Sequence, residues 1–199
     1  VALAALIAPL SPLSESLRSL RTNIISITAE GERKSLLVTS STYEEGKSTI
    51  IVNLALTFAQ MGSRTLLVDA DMRQPHIYRV FGIDPEPGLS DIIMGTYELD
   101  EVIKTCTDIM MGSVGLEGLV GSPGIDNFQL ITCGAFPPNP AELLHSRRAT
   151  ELIEKMRSLY DIVLFDSPPI LPATDAAVLG AKVDQTLIVY QVGRASRGS

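Results

Sequence analysis

Short apolar runs alternate with longer stretches of helical period along this chain. KSLLVTS (34–40), RTLLVDA (64–70), NFQLIT (127–132), DIVLFD (161–166) and DQTLIVYQV (184–192) are rich in Leu, Ile and Val and have polar flanks. That is the pattern of strands buried in a sheet covered on both faces. Ser11 and Pro12 read as an N-cap and first helical position, opening PLSESLRSLRTNIISI with Leu13, Leu17, Leu20, Ile24 and Ile27 at helical spacing. STIIVNLALTFAQMG predicts a helix ending at Gly62, and AELLHSRRATELIEKMRSLY predicts one or two helices after the rigid loop FPPNP. Residues 75–105 read as short helices broken at DPEPG and near Gly95, and TDAAVLGAK as another short helix. The stretch 107–127 holds five glycines without a period and reads as a long mobile loop. Strands alternating with helices predict an α/β fold: a mainly parallel sheet flanked by helices on both faces.

Composition narrows the picture only a little. The chain has 199 residues, 45% of them hydrophobic, which suits one domain with a proper core. A net charge of −7, 5% aromatics and no Trp offer neither a basic surface nor stacking platforms, so no nucleic-acid partner is expected. Cys106 and Cys133 lack C-x-x-C spacing and read as small buried residues in a reducing compartment. His76 and His145 are far apart and suggest no metal site. The opening VALAALIAPL is too short to span a bilayer and has no basic n-region, so it reads as an extended lead-in. The chain starts without Met and ends in the polar RASRGS, and both ends read as cuts in something longer.

Three strand ends carry the chemistry. SSTYEEGKSTI (40–50) closes like G-x-x-x-x-G-K-S/T, at Gly46, Lys47, Ser48 and Thr49, between a strand and a helix. A helix N-terminus there offers free N–H groups to phosphates, a lysine to reach them and a hydroxyl for Mg²⁺. Ser41 stands at the first glycine position, and Tyr43, Glu44 and Glu45 lie where the phosphates would arrive. An ordinary glycine turn with a helix-start lysine is the bland alternative. LLVDADMR places Asp69, Asp71 and Arg73 at the end of the next strand, where two carboxylates spaced by two face one side. They suit Mg²⁺ and a hydroxyl to be deprotonated. YDIVLFDSPP ends a third strand in Asp166, the shape of a Walker B aspartate. Together these motifs point to a nucleotide site for ATP/ADP and Mg²⁺.

TSSTYEEGKST, LLVDADMRQP and YDIVLFDSPP resemble the corresponding motifs of the bacterial tyrosine kinases (BY-kinases), P-loop kinases allied to the MinD/ParA ATPases. SPLSESLRSLRTNI resembles that family's N-terminal helix, with Glu15, Arg18 and Arg21 in its E-x-x-R-x-x-R pattern, and CGAFPPNPAELLHS resembles another of its segments. The likeness runs from about Ala8 to Arg194. It implies a P-loop fold in which Lys47, Asp69 and Asp71 are catalytic, with Asp69 favoured as base. Tyr43, Glu44, Glu45, Gly46, Lys47, Ser48, Thr49 and Arg73 would bind nucleotide, and Ser48, Asp69, Asp71 and Asp166 would serve Mg²⁺. Gln191–Arg194 is the place to look for adenine contacts. The resemblance further implies a ring-like homo-oligomer through Glu15, Arg18 and Arg21, which otherwise read as a solvated helix face. It implies protein tyrosine substrates, a membrane-embedded polysaccharide chain-length regulator (fused or separate), and a cytoplasmic place at the inner face of the cell membrane. The implied role is tyrosine autophosphorylation in capsular or extracellular polysaccharide synthesis and export. A MinD/ParA-like switch is the alternative, though Thr42 stands where those proteins carry a signature lysine; a nucleotide-binding assembly module is another.

Three features depart from the family. Tyr43, Tyr78, Tyr97, Tyr160 and Tyr190 form no C-terminal cluster, and the family's last strand and helices find no counterpart after about Arg194. Tyr43-Glu44 also replaces the usual Pro-Gly, so a positive φ there would strain Glu44.

Overall fold

The computed structural model describes residues 3–27, 35–112 and 123–193. The strands are β1 (Ser35–Ser40), β2 (Thr65–Asp69), β3 (Lys104–Thr105), β4 (Phe128–Ile131), β5 (Ile162–Asp166) and β6 (Gln185–Val189). They form one sheet in the order β3-β4-β2-β5-β1-β6. Every neighbouring pair is parallel except β3 with β4. The short antiparallel β3 had no apolar run to announce it.

The helices are α1 (Ala4–Ile7), α2 (Pro12–Ile27), α3 (Lys47–Gln60), α4 (Ile77–Phe81), α5 (Leu89–Met94), α6 (Leu99–Val102), α7 (Cys106–Gly112), α8 (Pro140–His145), α9 (Arg147–Leu159) and α10 (Asp175–Gly180). Side chains alternate along the strands and so feed two cores. Leu36, Val38, Leu67, Leu130 and Leu164 pack with Leu17 of α2, Leu54 and Phe58 of α3, and Phe81 of α4. Leu37, Leu66, Val68, Ile131, Val163 and Phe165 pack on the other face with Ile93, Leu144, Leu152, Met156 and Leu179. Helices therefore cover both faces, as the apolar strand runs require.

Two local features differ from the sequence reading, and a third resolves an alternative it left open. The lead-in is not extended: α1 forms a helical turn whose Leu3, Ala4 and Ala5 are buried. The Ala5 amide donates to Asn53 Oδ1 on α3 at 2.8 Å, so a short apolar segment gains a packed, hydrogen-bonded seat. The expected 107–127 loop is helical at its start. Thr105 and Asp108 cap α7 reciprocally, with the Thr105 amide 2.8 Å from Asp108 Oδ2, and Cys106 and Ile109 turn into the core. Ile125–Asn127 forms a 3₁₀ turn, and residues 113–122 lie outside the described part. Of the one or two helices expected after FPPNP, two form, because Ser146 ends α8 and its hydroxyl accepts the Ala149 amide at 3.2 Å to cap α9.

β5 lies between β2 and β1, so its side chains are enclosed by both helical layers. Leu164→Ala in this strand is expected to lower unfolding free energy by about 3 kcal/mol, seen as a lower urea midpoint at an unchanged slope.

Candidate active site

Parallel strands deliver their carboxyl ends to one edge of the sheet, and the register there is specific. Asp69 at the end of β2 lies beside Asp166 at the end of β5. The Ala70 amide donates to the Asp166 carbonyl at 2.8 Å, tying the two strand ends together. β1, on the other side of β5, leads into the loop that ends at Lys47. Gly46 precedes α3 with φ 90°, a left-handed conformation that glycine adopts without cost.

Glu45 holds the loop from inside. Its carboxylate accepts the Ser41 hydroxyl at 2.9 and 2.7 Å, the Thr42 amide at 2.8 Å and the Gln191 amide at 3.4 Å. The Thr42 N–H above all keeps the Glu45 carboxyl below its ordinary pKa, against the opposing effect of burial. Ser41, at the missing glycine, thus has its own bond to make. Glu45 faces these partners and is not among the residues lining the cavity at Lys47.

That cavity, of about 330 Å³, is lined by Tyr43, Glu44, Gly46, Lys47, Ser48, Thr49, Asp71, Gln74 and His76. Lys47 Nζ is 2.9 Å from Asp71 Oδ2 and 3.6 Å from Asp166 Oδ1. The Ser48 hydroxyl donates to Asp166 Oδ2 at 2.7 Å. Asp71 Oδ1 accepts the amides of Gln74 at 2.9 Å and Arg73 at 3.3 Å, which fixes the turn after β2. Asp69 lies behind it, fully buried, accepting the Asp71 amide at 3.2 Å and the Ile77 amide at 3.3 Å.

The charges are strongly coupled. Burial, then the neighbouring Asp166 and Asp71, push the Asp69 carboxyl well above the usual carboxylate range. Burial raises Asp166 too, against the pull of Lys47 and Ser48. Burial alone would lower the Lys47 ammonium, but Asp166 and Asp71 outweigh it and hold the pKa above its ordinary value.

The oxygen set fits Mg²⁺. Asp166 Oδ1 is buried without a hydrogen-bond partner, 3.6 Å from Lys47 Nζ, while Oδ2 accepts the Ser48 hydroxyl. Among the described residues no three His, Cys, Asp or Glu side chains converge to hold a metal by themselves. Mg²⁺ is characteristically held by one or two carboxylates together with phosphate oxygens and water.

Comparison with known proteins agrees with this geometry. The AAA domain family model matches residues 44–198. Tyrosine-protein kinase YwqD of Bacillus subtilis (strain 168) is 34% identical over 189 residues, covering 95% of this chain and 73% of its own length. The kinase domain of Escherichia coli tyrosine kinase ETK superposes with a TM-score of 0.84 at 33% identity, covering 98% of this chain and 69% of that one. This chain belongs to the bacterial tyrosine-kinase family. It is a tyrosine-protein kinase domain with a nucleotide-binding P-loop. It spans only 23% of another relative, the putative tyrosine-protein kinase EpsB of Ralstonia nicotianae, at 37% identity over 190 residues and 96% of this chain.

Arg73 of the kinase domain, expected to bind nucleotide, makes a two-pronged ion pair with buried Asp175, both contacts 2.9 Å, and does not line the phosphate cavity. Asp175 had no local signal, being 102 residues away. Gln74 and His76, which do line it, were missed, although they closely follow Asp71 in sequence. Gln191 meets the loop through Glu45, and Arg194 lies outside the described residues. In α2, Arg18 pairs with Glu15, while Arg21 donates to the Thr57 carbonyl of α3 at 2.5 Å, so this side is only partly a solvated face. Both cysteines are buried and free, and burial pushes Cys133 up to about 12.

Glu44 carries φ 62°, the strained conformation feared from the lost glycine. Glu44→Gly is expected to raise the thermal midpoint by relieving up to about 1 kcal/mol, and to tighten Mg·ADP binding by calorimetry. Unchanged affinity would show that the carboxylate is harmless to the phosphates. A second expectation concerns pH. The unfolded chain releases its carboxyl protons near about pH 4, whereas folded Asp69 and Asp166 keep theirs to higher pH. The folded state therefore binds more protons there, and its stability falls as pH rises from about 4 through the raised values. Asp69→Asn should shrink that slope in urea unfolding measured across pH; an identical slope would place the protons elsewhere.

Proposed function

We propose that this domain uses Mg·ATP to phosphorylate protein tyrosines, its own chain and its copies included. The observation that carries this reading is the meeting of three motifs: Lys47 lies against Asp71 and Asp166, and Ser48 against Asp166, at one helix N-terminus. Phosphoryl transfer asks the protein mainly for alignment and charge balance. In this scheme Lys47 exchanges its carboxylates for phosphate oxygens, and the amides following Gly46 cradle them. Ser48 and Asp166 would hold Mg²⁺, with Asp71 serving the same ion, and the ion would supply positive charge against the phosphates. Asp69 is the favoured base for the tyrosine proton, with Asp71, which lines the cavity in front of it, the nearer carboxylate.

The wider reading is a role in capsular or extracellular polysaccharide synthesis and export, at the inner face of the cell membrane. No described helix is long and apolar enough to cross a membrane. Contact with the membrane would come through a membrane-embedded chain-length regulator, fused or separate. The much greater length of EpsB leaves room for such a fusion. Ring assembly would use Glu15, Arg18 and Arg21, and a cavity of about 460 Å³ beside Arg18 and Arg21 offers a place for a neighbouring subunit.

Incubation with Mg·ATP and mass-spectrometric mapping should reveal phosphotyrosine. Lys47→Ala should reduce it by at least about 100-fold through lost phosphate stabilisation. Phosphotyrosine undiminished in that variant, or ATP hydrolysis without phosphotyrosine in the parent chain, would overturn the reading.

A further inference from the structure

The phosphate cavity opens beside a second chamber of about 300 Å³, and Gln74 and His76 line both. The second chamber continues over Arg73, Tyr78, Arg79 and Phe136. Its position matters for the chemistry. Nucleotide phosphates would lie at the N-terminus of α3, and an in-line displacement needs the acceptor on the opposite side. Asp71, Gln74 and His76 line the cavity, and Gln74 and His76 also line the second chamber.

The chamber's own chemistry is distinct from the phosphate loop. Arg73 is neutralised by Asp175. Arg79 is not: among the described residues no carboxylate lies within ion-pair distance of it. Its guanidinium sits 5.3 Å from the centre of the Tyr78 ring, and its Nε donates to the Tyr78 hydroxyl at 2.8 Å. These contacts orient an exposed cation. Phe136, on the proline-rich loop, is 57% exposed. A cation without a countercharge and an open aromatic ring thus flank the active site of a chain whose net charge is −7.

We propose that this chamber is the acceptor-docking subsite, and that its occupant is a tyrosine-bearing protein segment with acidic residues beside the tyrosine. Arg79 pairs with the flanking carboxylates, Phe136 packs against the segment, and the tyrosine passes His76 into the phosphate cavity. Side-chain charge complementarity of this kind selects among partners more than it strengthens binding. The assignment rests on the tyrosine-kinase reading, but its test does not require turnover.

A fluorescent peptide with glutamates flanking one tyrosine is titrated with the full chain in Mg·ADP, and anisotropy is recorded. Arg79→Glu should weaken binding about tenfold and reverse the preference toward a lysine-flanked peptide. Arg79→Lys should retain part of the affinity, and Phe136→Ala should weaken both peptides alike. Arg147→Glu, an equally drastic change on exposed α9, should leave peptide binding intact. Calorimetric Mg·ADP affinity should be the same in all four variants. No binding by the parent chain, equal binding by Arg79→Glu, or an equal loss in Arg147→Glu would overturn the assignment. Binding with the expected selectivity, together with no phosphotyrosine when the same chain is incubated separately with Mg·ATP, would support the docking site and refute the kinase reading separately.

Discussion

Lys47 stands 2.9 Å from Asp71 and 3.6 Å from Asp166, at the edge where β1, β2 and β5 end. Three buried carboxylates on adjoining strand ends would be prohibitive without a cation, because each loses its hydration. The lysine relieves that cost and the raised Asp69 and Asp166 absorb the rest by holding protons more tightly. The same balance makes the site receptive. A bound nucleotide would bring negative charge for the lysine, and Mg²⁺ positive charge for the carboxylates, so in the proposed reading each partner would exchange one favourable pairing for another.

The scaffold keeps this exchange local. α3 is buried from Ile51 to Ala59, enclosed by the sheet on one side and by α1 and α2 on the other. The helix that opens with Lys47 therefore has little freedom to move. Arg21 of α2 bonds to the Thr57 carbonyl of that helix, which ties the Arg21 end of the Glu15-Arg18-Arg21 row to α3. On the other side of the loop, Glu45 gathers Ser41, Thr42 and the start of the segment after β6. The loop can thus keep its form without its first glycine, while the strain at Glu44 is carried by its anchored neighbours.

Much of the fold was legible because it rests on short-range pattern. The apolar runs at 34–40, 64–70 and 161–166 became β1, β2 and β5, each buried along its whole length. Serine and proline at 11–12 opened α2 as expected. The α1 turn and β3 escaped notice because neither has a periodic signal of its own. Each exists through partners elsewhere, Asn53 for α1 and β4 for β3. α7 was hidden by the glycines that follow it, which outweighed a valid capping pair at Thr105 and Asp108.

Sequence alone determined the family and its nucleotide-binding loop: a glycine-lysine-serine turn between strand and helix, with aspartates at two further strand ends, is a local pattern suited to phosphate and Mg²⁺. Only the tertiary structure decided which groups share the cavity. It placed β5 between β1 and β2, brought Asp69 beside Asp166, turned Glu45 inward and carried Arg73 to Asp175. Those pairings join residues up to 146 positions apart. No local propensity encodes them, because they follow from strand order and from the need of each buried charge to find a counterpart.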